Sequence, residues 1–356
     1  MMGSGHLTTP LELRARTYAA PARRCWLTPF SGAESVTGWL VEASDGRRSG
    51  WWGPVEERTA ALAVSILAAV EETAPATPPQ WAERMRRAVR HSHAGIGAVA
   101  IGAAELAAWD LVGQREGAPV WALGGHGEPV ASPVYVTCFG LEPESAEARE
   151  LSRRLRTPRR DEGPVQKWDA AVAPASFAAL AEAAGGLDRL AVDMKGRFDF
   201  DDARRYCDRL PEGLCWIEEP LPPWRIHRAP ELGLTSPLAA GEHCYGVGEV
   251  GGLRAAGVTV FQPDAVFCGG FGALSEIASA LNAPAERLAP HGGGLLPALH
   301  LAAKGARVDM VEWHLRLEPR RLAHLALALE PREDFQIEAP AAPGWAGPLA
   351  AEVRLS

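Results

Sequence analysis

The nine residues LAVDMKGRF (190–198) begin with a short apolar run that ends in an acid, Asp193. The same kind of ending recurs along the chain, after apolar or β-branched runs, at intervals of 22 to 27 residues. The residues that mark these ends are Lys167, Asp193, Glu218, Glu242, Asp264 and His291. One strand, one helix and their two loops take about that many residues in a barrel of alternating strands and helices. The spacing therefore predicts a ring of parallel strands.

These strand ends are expected to meet, because the parallel strands of a closed barrel all finish at the same face. Side chains that are far apart in the sequence then converge there. Three carboxylates, Asp193, Glu218 and Glu242, predict a metal site. Asp264 and His291 predict a proton-transfer pair beside it.

Length, composition and charge narrow the class of protein. A chain of 356 residues can hold one large domain, or a large domain and a smaller one, and 47% hydrophobic and 22% charged residues are ordinary for a globular protein. The net charge of −8 argues against a nucleic-acid surface, and RMRRAVRH (84–91) is interpreted as a solvated helix face. No apolar run approaches the roughly 20 residues that span a bilayer. We expect neither a nucleic-acid nor a membrane partner.

The N-terminus and the cysteines indicate the compartment. MMGSGHLTTPLELRAR (1–16) lacks the apolar core of a signal peptide. The six cysteines show no CxxC pairing and are interpreted as free thiols. We therefore expect a cytoplasmic protein.

The pattern of the chain changes twice. Residues 1 to about 60 alternate as in an antiparallel meander, and residues from about 56 to 125 read as helices up to the boundary signal GGHGEP (124–129). From Pro133 to about residue 314, strands and helices alternate. The predicted divisions are a capping domain of residues 1–127, a barrel of residues 128–322 and a tail of residues 323–356 that returns to the capping domain.

Strand alternation separates neighbouring candidates. Glu218 and Glu219 must face opposite sides of a strand, so only one points into the site and the other pairs with a neighbour or caps a helix. Asp193 and Lys195 are two positions apart and face the same side. Lys195 is therefore predicted to share the cavity with the metal.

The chain resembles the enolase superfamily and, within it, the group of mandelate racemase and muconate lactonizing enzyme. The motifs that carry this resemblance occur in the order of the family: AAELAAWDLVGQREGAPVWALGG (103–125), LAVDMKGRF (190–198), LCWIEEPL (214–221), PLAAGEH (237–243), FQPDAVFCGGFG (261–272) and LAPHGGG (288–294). The resemblance implies an α/β fold, a modified TIM (β/α)7β barrel with an α+β capping domain formed by the N-terminal region and the C-terminal tail. It also implies a homo-oligomer.

The resemblance assigns roles to the marked residues. It makes Asp193, Glu218 and Glu242 the ligands of one Mg²⁺, for which Mn²⁺ is a suitable replacement. Asp264 and His291 correspond to the Asp–His dyad of the family, in which the carboxylate fixes the tautomer of the imidazole and raises its pKa. Removing the proton α to a carboxylate produces an enediolate, whose second negative charge a divalent cation stabilises.

Two further positions follow from the resemblance. Glu312, in MVEWH (310–314), corresponds to the Glu of the last strand that contacts the substrate carboxylate, and a structural acid is the alternative. Lys195 stands where the family has Asn or His after the third strand. It is predicted either to take part in acid–base catalysis or to form a salt bridge with Glu218 or Glu219.

The chain departs from the family at the second barrel strand. Family racemases carry Lys-x-Lys there, whereas this chain reads QKWD (166–169). If Lys167 is the first lysine, Asp169 replaces the second, and if Lys167 is the second, Val165 replaces the first. A racemase needs a base on each face of the α-carbon. The departure therefore favours a reaction in which the Asp264–His291 dyad alone can transfer the protons.

The favoured function is that of a lyase in carbohydrate acid catabolism, which dehydrates a sugar acid (an aldonate or aldarate) to a 2-keto-3-deoxy acid. The substrate is then a small-molecule carboxylate, and the loop WLTPFSGAES (26–35) is predicted to close over it with Trp26 and Phe30. One alternative is a racemase or epimerase of a 2-hydroxy acid or amino-acid derivative, with Lys167 or Lys195 as the opposing base. The other is a metal-binding homologue that has lost catalysis.

Overall fold

The computed structural model describes residues 7, 11–30, 35–72, 74–125, 127–142, 145–156 and 163–356. Residues 1–6 and 8–10 of the N-terminal stretch, on which the expectation of no signal peptide depends, lie outside them. So do residues 31–34 of the loop that is predicted to close over the substrate.

An antiparallel sheet opens the chain and confirms the predicted meander. Its consecutive strands are β1 (Glu12–Pro21), β2 (Ser35–Ser44) and β3 (Ser49–Val55). β1 pairs with β2 over its whole length, and β2 pairs with β3. Asp45 tightens the turn between β2 and β3, because its Oδ1 accepts hydrogen bonds from the backbone N–H groups of Arg47 and Arg48.

Three helices follow the sheet: α1 (Glu57–Ala68), α2 (Pro78–Ala88) and α3 (Ile96–Glu116). α3 is mostly buried and lies against β3. Gly50 permits this close approach, since a Cβ atom there would lie 2.0 Å from the backbone nitrogen of Leu111. α3 ends at Gly117, whose φ of 64° lies in the left-handed region that glycine adopts easily.

α3 is also the one helix in the described part of the chain that is long and apolar enough to cross a membrane. The sequence offers no uninterrupted apolar run of that length, because Glu105 and Asp110 lie within the helix. In the structure, 89% of its apolar window is buried by protein. α3 is therefore a core helix that joins the sheet to the rest of the molecule.

The second half of the chain forms a curled parallel sheet of eight strands. They are β4 (Ala131–Thr137), β5 (Gln166–Asp169), β6 (Leu190–Asp193), β7 (Trp216–Glu218), β8 (Leu238–Ala240), β9 (Val258–Phe261), β10 (Arg287–Leu288) and β11 (Val311–His314). The hydrogen-bonded order is β10-β9-β8-β7-β6-β5-β4-β11. The two ends of this order approach each other, since Asp309 N donates to Leu288 O at 2.9 Å and Leu288 N donates to Asp309 Oδ2 at 2.8 Å. This is the predicted α/β barrel fold.

Seven helical connections link the eight strands, as a (β/α)7β barrel requires. They are α4 (Ala146–Arg154), α5 (Ser176–Ala184), α6 (Phe200–Cys207), a 3-10 helix (Pro223–Leu232), α7 (Val250–Ala255), α8 (Phe271–Ala280) and α9 (Leu295–Ala303). The fourth connection is a 3-10 helix with Pro230 inside it, where proline removes a backbone donor.

The C-terminal tail returns to the first sheet. After α10 (Glu318–Arg321), β12 (Gln336–Glu338) pairs with the beginning of β4, and β13 (Arg354–Leu355) pairs antiparallel with β1. Trp345 N donates to Asp110 Oδ1 of α3 at 2.9 Å. The domain boundaries at residues 127 and 322 stay predictions.

Candidate active site

Two layers of side chains fill the barrel towards the ends of its strands. The first is apolar and takes one residue from each strand or from the position next to it: Tyr135, Val165, Ala191, Trp216, Ala239, Val260, Ala289 and Met310. Residues two positions further along a strand point the same way. At these positions, contacting side chains form a polar second layer: Thr137, Lys167, Asp193, Glu218, Gln262, His291 and Glu312. Five of the predicted site residues thus lie in one layer.

Lys167 occupies the centre of this polar layer and is only 1% exposed. Its Nζ lies 2.8 Å from Glu218 Oε1, 3.1 Å from Glu312 Oε1 and 3.6 Å from Asp193 Oδ2. Burial acts to lower the pKa of Lys167, but the negative charges of Glu218 and Glu312 outweigh it and hold the pKa well above its ordinary value. Lys167 is therefore a cation that compensates the carboxylates around it.

Asp169 and Lys195 form a further ion pair beside this layer. Asp169 pairs in register with Asp193, and its carboxylate forms ion pairs with Lys195 and Arg197. The Nζ of Lys195 also lies 3.8 Å from the centroid of the Phe139 ring. The salt bridge expected between Lys195 and Glu218 or Glu219 is not formed. Lys195 has a φ of 53°, so the alternation of β6 does not continue beyond Asp193.

Asp193 and Glu218, the first two predicted metal ligands, are 5% and 2% exposed. Burial and the charge of Glu242 raise the pKa of Asp193 to about 6, against the lowering effect of Lys167. Burial and the charge of Asp193 likewise raise the pKa of Glu218 to about 7. The three predicted ligands therefore lie close enough to repel one another.

The hydrogen bonds of these acids show which oxygens are engaged. Glu218 Oε2 accepts from Gln262 Nε2 at 2.7 Å and from Trp216 Nε1 at 3.1 Å. Asp193 Oδ1 accepts from the backbone nitrogen of Lys195 at 2.8 Å. Since Lys167 Nζ donates to Glu218 Oε1 at 2.8 Å, both oxygens of Glu218 are engaged. Among the described residues, Asp193 Oδ2 has no hydrogen bond and lies 3.6 Å from Lys167 Nζ.

The donor set fits a hard divalent cation. Among the described residues, five carboxylates (Asp193, Glu218, Glu242, Asp264 and Glu312) lie 2.8 to 3.6 Å from the two basic groups Lys167 and His291. Mg²⁺ prefers carboxylate oxygens and would neutralise this excess of negative charge. The closest set of three donors in the described chain, however, is Glu219, Glu242 and His243, whose ligand atoms all lie within 4.8 Å of one another.

Asp264 and His291 form the predicted dyad. Asp264 is fully buried, and its Oδ2 lies 2.8 Å from His291 Nδ1. The other oxygen of Asp264 accepts from Val266 N at 2.7 Å, which fixes the carboxylate. Nε2 of the imidazole faces Glu242 Oε1 at 3.6 Å. Burial acts to lower the pKa of His291, but Glu242, Glu312 and Asp264 together raise it to about 10.

Glu312 lies beside the dyad, with its carboxylate held by several donors. It accepts from Gly292 N at 2.7 Å and from the hydroxyl groups of Tyr135 at 3.3 Å and Thr137. Burial would raise its pKa, but Lys167 and His291 hold the pKa well below its ordinary value. Glu312 is therefore a carboxylate at the site, and its contact with the substrate stays a prediction.

The sequence did not single out Gln262, which bonds Glu218, or His243. His243 Nδ1 lies 3.1 Å from Oε1 of Glu219, the acid that alternation left unassigned. The available signal was its position directly after Glu242 in PLAAGEH. A partner for Glu219 could not be chosen from that spacing alone.

Two cavities open onto this region. One, of about 580 Å³, is lined by Asp264, His291 and Phe267 from the barrel and by Trp52 and Ile96 from the N-terminal part of the chain. The other, of about 670 Å³, contains the site residues Lys195 and Glu219 and the exposed Trp224 in its lining. His243 and Tyr245 line both cavities. A bound molecule therefore has room on either side of His243.

The described part of the 26–35 loop packs against the C-terminal part of the chain, and neither Trp26 nor Phe30 lines the two cavities. Trp26 packs on Phe335, with ring centroids 5.7 Å apart. The Phe30 ring lies 5.9 Å from the guanidinium carbon of Arg316, which follows β11. Closure of this loop over a substrate stays a prediction.

Comparison with known proteins places these features in a family. The model of the family described as "Enolase C-terminal domain-like" matches residues 149–352. Similar solved structures include an enolase from alpha pretobacterium bal199 with bound Mg (20% identity, 96% of this chain and 97% of that chain, TM-score 0.76). A mandelate racemase/muconate lactonizing protein from Paracoccus denitrificans PD1222, complexed with magnesium, has 21% identity over 97% and 99% of the two chains (TM-score 0.72). An enolase from Bradyrhizobium complexed with magnesium and mandelic acid has 22% identity over 96% of each (TM-score 0.73).

Proposed function

Because the chain belongs to the enolase C-terminal domain-like family, which matches it over more than half of its length, we propose that it removes the proton α to a carboxylate in a Mg²⁺-dependent reaction. We further propose that the reaction is a dehydration of a sugar acid, an aldonate or aldarate, to its 2-keto-3-deoxy product. The observation that carries the proposal is the Asp264–His291 dyad, which lies against a cluster of buried carboxylates and lines a cavity.

The residues that would hold the cation are Asp193, Glu218 and Glu242. Mg²⁺ bound there would stabilise the second negative charge that develops on the substrate carboxylate. Lys167 lies among the carboxylates of the site and offsets part of their mutual repulsion. The magnesium in the similar structures from alpha pretobacterium bal199 and Paracoccus denitrificans supports this choice of ion.

His291 is the proposed proton carrier. In the dyad Nδ1 donates to Asp264. Because Glu242 and Glu312 help to raise the pKa of His291, a cation held by Glu242 would lower that pKa and free Nε2 to take the α-proton, while the electron pair of the C–H bond moves into the C1=C2 bond of the enediolate. The electron pair of the C1=C2 bond then moves to form the C2=C3 bond as the C3–O bond breaks, and the departing hydroxide takes the proton from His291 to leave as water. The enol product converts to the 2-keto acid. One dyad serves both steps when the proton and the hydroxyl group leave from the same face.

The surroundings of the lysines favour elimination over racemisation. Asp169, level with Asp193, occupies the position of the second lysine if Lys167 is the first. Lys167 is only 1% exposed and lies between three carboxylates, where it has little access to the cavities. A racemase reaction would need a second base on the opposite face of the α-carbon.

Lys195 supports a second candidate function, a racemase or epimerase. Its side chain is 37% exposed and lines the cavity of about 670 Å³, so it can approach a bound molecule. Its ammonium group is engaged by the carboxylate of Asp169, which is the reason for ranking this candidate second. A bound mandelic acid in the similar Bradyrhizobium enolase is consistent with a 2-hydroxy acid as substrate.

The test is a screen of mono- and di-acid sugars with Mg²⁺, in which the 2-keto acid is detected as its semicarbazone. We expect a product that is lost with a chelator and in His291→Asn, and that persists in His227→Asn, where the histidine is exposed and lines neither cavity. Uptake of α-deuterium from D₂O without elimination would instead support the racemase. The absence of both keto-acid product and deuterium exchange with every acid in the screen would contradict the proposed function.

A further inference from the structure

A second imidazole–carboxylate pair lies on the wall of the candidate active site. His243 Nδ1 is 3.1 Å from Glu219 Oε1, and Glu219 is 4% exposed. Because an ionised carboxylate only accepts hydrogen bonds, Nδ1 carries the proton in this contact. The buried acid thus fixes the orientation of the ring and leaves Nε2 on its opposite edge.

Nε2 of His243 is available to a bound molecule. The side chain is 36% exposed and lines both cavities. Within the described ranges of the chain, Nε2 has no hydrogen-bond partner. A buried acid that orients an imidazole towards a cavity, with one nitrogen unengaged, is typical of a group that recognises a ligand.

His243 and the dyad face the same cavity. The ring of Phe267 lies near both imidazoles, with its centroid 6.2 Å from that of His243 and 6.4 Å from that of His291. Glu242 connects the same two residues, since it precedes His243 in the chain and lies 3.6 Å from His291 Nε2. A substrate with its α-carbon at His291 would therefore extend along Phe267 towards His243.

We propose that His243, oriented by Glu219, is a specificity-determining residue that hydrogen-bonds a substrate hydroxyl group beyond the α-carbon. The inference rests on the proposed function, because it places the α-carbon of a polyhydroxy acid at His291. A hydroxyl group both donates and accepts hydrogen bonds. It therefore matches Nε2 whether or not that nitrogen carries a proton.

Two other roles for His243 make different predictions. As a metal ligand together with Glu219 and Glu242, it would determine the affinity for the cation. As a purely structural partner of Glu219, it would affect every ligand equally. Recognition of a hydroxyl group affects only those ligands that carry one at that position.

The experiment measures binding by isothermal titration calorimetry in Mg²⁺ for the wild-type protein and for His243→Phe, which keeps a ring and removes both nitrogens. The probes are gluconate and galactarate, with 2-hydroxyhexanoate as the acid that lacks hydroxyl groups beyond C2. Loss of one such hydrogen bond should weaken binding of the polyhydroxy acids roughly tenfold and leave 2-hydroxyhexanoate unchanged. His227→Phe is the matched control, because His227 is exposed and lines neither cavity.

Several outcomes would overturn the inference. In His243→Phe, these are equally weakened binding of all three acids, an unchanged preference for polyhydroxy acids, and loss of Mg²⁺ affinity. In the wild-type protein, it is the absence of any preference for polyhydroxy acids. A change confined to the polyhydroxy acids supports it. Binding is measured separately from keto-acid formation. If the protein forms no keto acid but its preference for polyhydroxy acids depends on His243, the result would count against the proposed dehydration and not against hydroxyl recognition by His243.

Discussion

The Nζ atom of Lys167 lies 2.8 Å from Oε1 of Glu218, inside the barrel, where the two side chains are 1% and 3% exposed. Glu312 and Asp193 approach the same ammonium group. Buried ion pairs of this kind add little net stability, yet removing one partner leaves charges without compensation and is strongly destabilising. Lys167 is therefore expected to stabilise the carboxylate cluster in the absence of a divalent cation.

Replacing Lys167 by Met should destabilise the protein when Mg²⁺ is removed. The variant leaves Asp193, Glu218 and Glu312 without their shared cation, which should lower the free energy of unfolding by about 3–5 kcal/mol. Lys195→Met is the matched control, since Lys195 is 37% exposed and Asp169 keeps Arg197 as a partner. That control should lose about 1 kcal/mol or less. Urea unfolding in EDTA measures both, and equal losses would contradict the assigned role of Lys167.

The spacing of the strand ends was sufficient to predict the barrel. In a closed parallel barrel the period of a strand and its helix indicates about where each strand ends, and Asp193 and Glu218 are the last residues of β6 and β7. The other four marked residues are not strand ends: Lys167 lies within β5, and Glu242, Asp264 and His291 lie two or three residues beyond the ends of β8, β9 and β10. Strand alternation also placed Glu218, which points inward to Lys167, whereas Glu219 pairs with His243. These predictions depend only on local periodicity, which a single sequence contains.

The directions of side chains beyond the strand ends could not be predicted in the same way. Lys195 was expected beside Asp193, but its φ of 53° breaks the alternation and turns it towards Asp169. His243 follows Gly241, whose φ of 125° ends the regular strand in a similar manner. Loop backbone geometry of this kind depends on contacts between distant segments, so no periodic pattern in the sequence reports it.

Mg²⁺ should raise the melting temperature of the wild-type protein, because a ligand that binds only the folded state stabilises it, by about 2.7 kcal/mol at a hundred times its Kd. Asp193→Asn should abolish this shift. In EDTA the same variant should be at least as stable as the wild type at pH 8, since burial raises the pKa of Asp193 to about 6 and makes its charge unfavourable above that pH. Asp169→Asn, at the same level but paired with Lys195 and Arg197, should keep the shift. A Mg²⁺ shift retained in Asp193→Asn would rule out this residue as a ligand.

Gly293→Ala should separate the dyad without removing either member. A Cβ atom at Gly293 would lie 2.1 Å from Asp264 Oδ2, the oxygen that bonds His291. The displaced carboxylate would no longer orient the imidazole, so turnover should fall by about 10²-fold or more while Mg²⁺ binding persists. Gly251→Ala, at an exposed position that lines neither cavity and where a Cβ atom meets nothing within 4 Å, is the control. Wild-type turnover in Gly293→Ala, measured on the substrate identified by the screen, would show that the dyad geometry is not required.

His300 lies outside the candidate site and should make the free energy of unfolding depend on pH. Its Nδ1 accepts from Trp121 N at 3.0 Å, and its Nε2 lies 2.7 Å from the carbonyl oxygen of Trp345, so the ring is held in its neutral form. Burial lowers its pKa from 6.5 to about 3.

Since the folded-state pKa of His300 is depressed, the stability it contributes is complete above pH 6.5. As the pH falls from 6.5 towards 3, the unfolded chain takes up a proton that the folded protein does not, and this stability is lost at about 1.4 kcal/mol per pH unit. His300→Phe should be less stable than the wild type at pH 8 by about 1–3 kcal/mol, because two buried hydrogen bonds disappear. Below pH 6.5 the difference should shrink, and urea unfolding from pH 8 to 5 measures it. A constant difference over that range would mean that His300 binds a proton equally well in the folded and unfolded states.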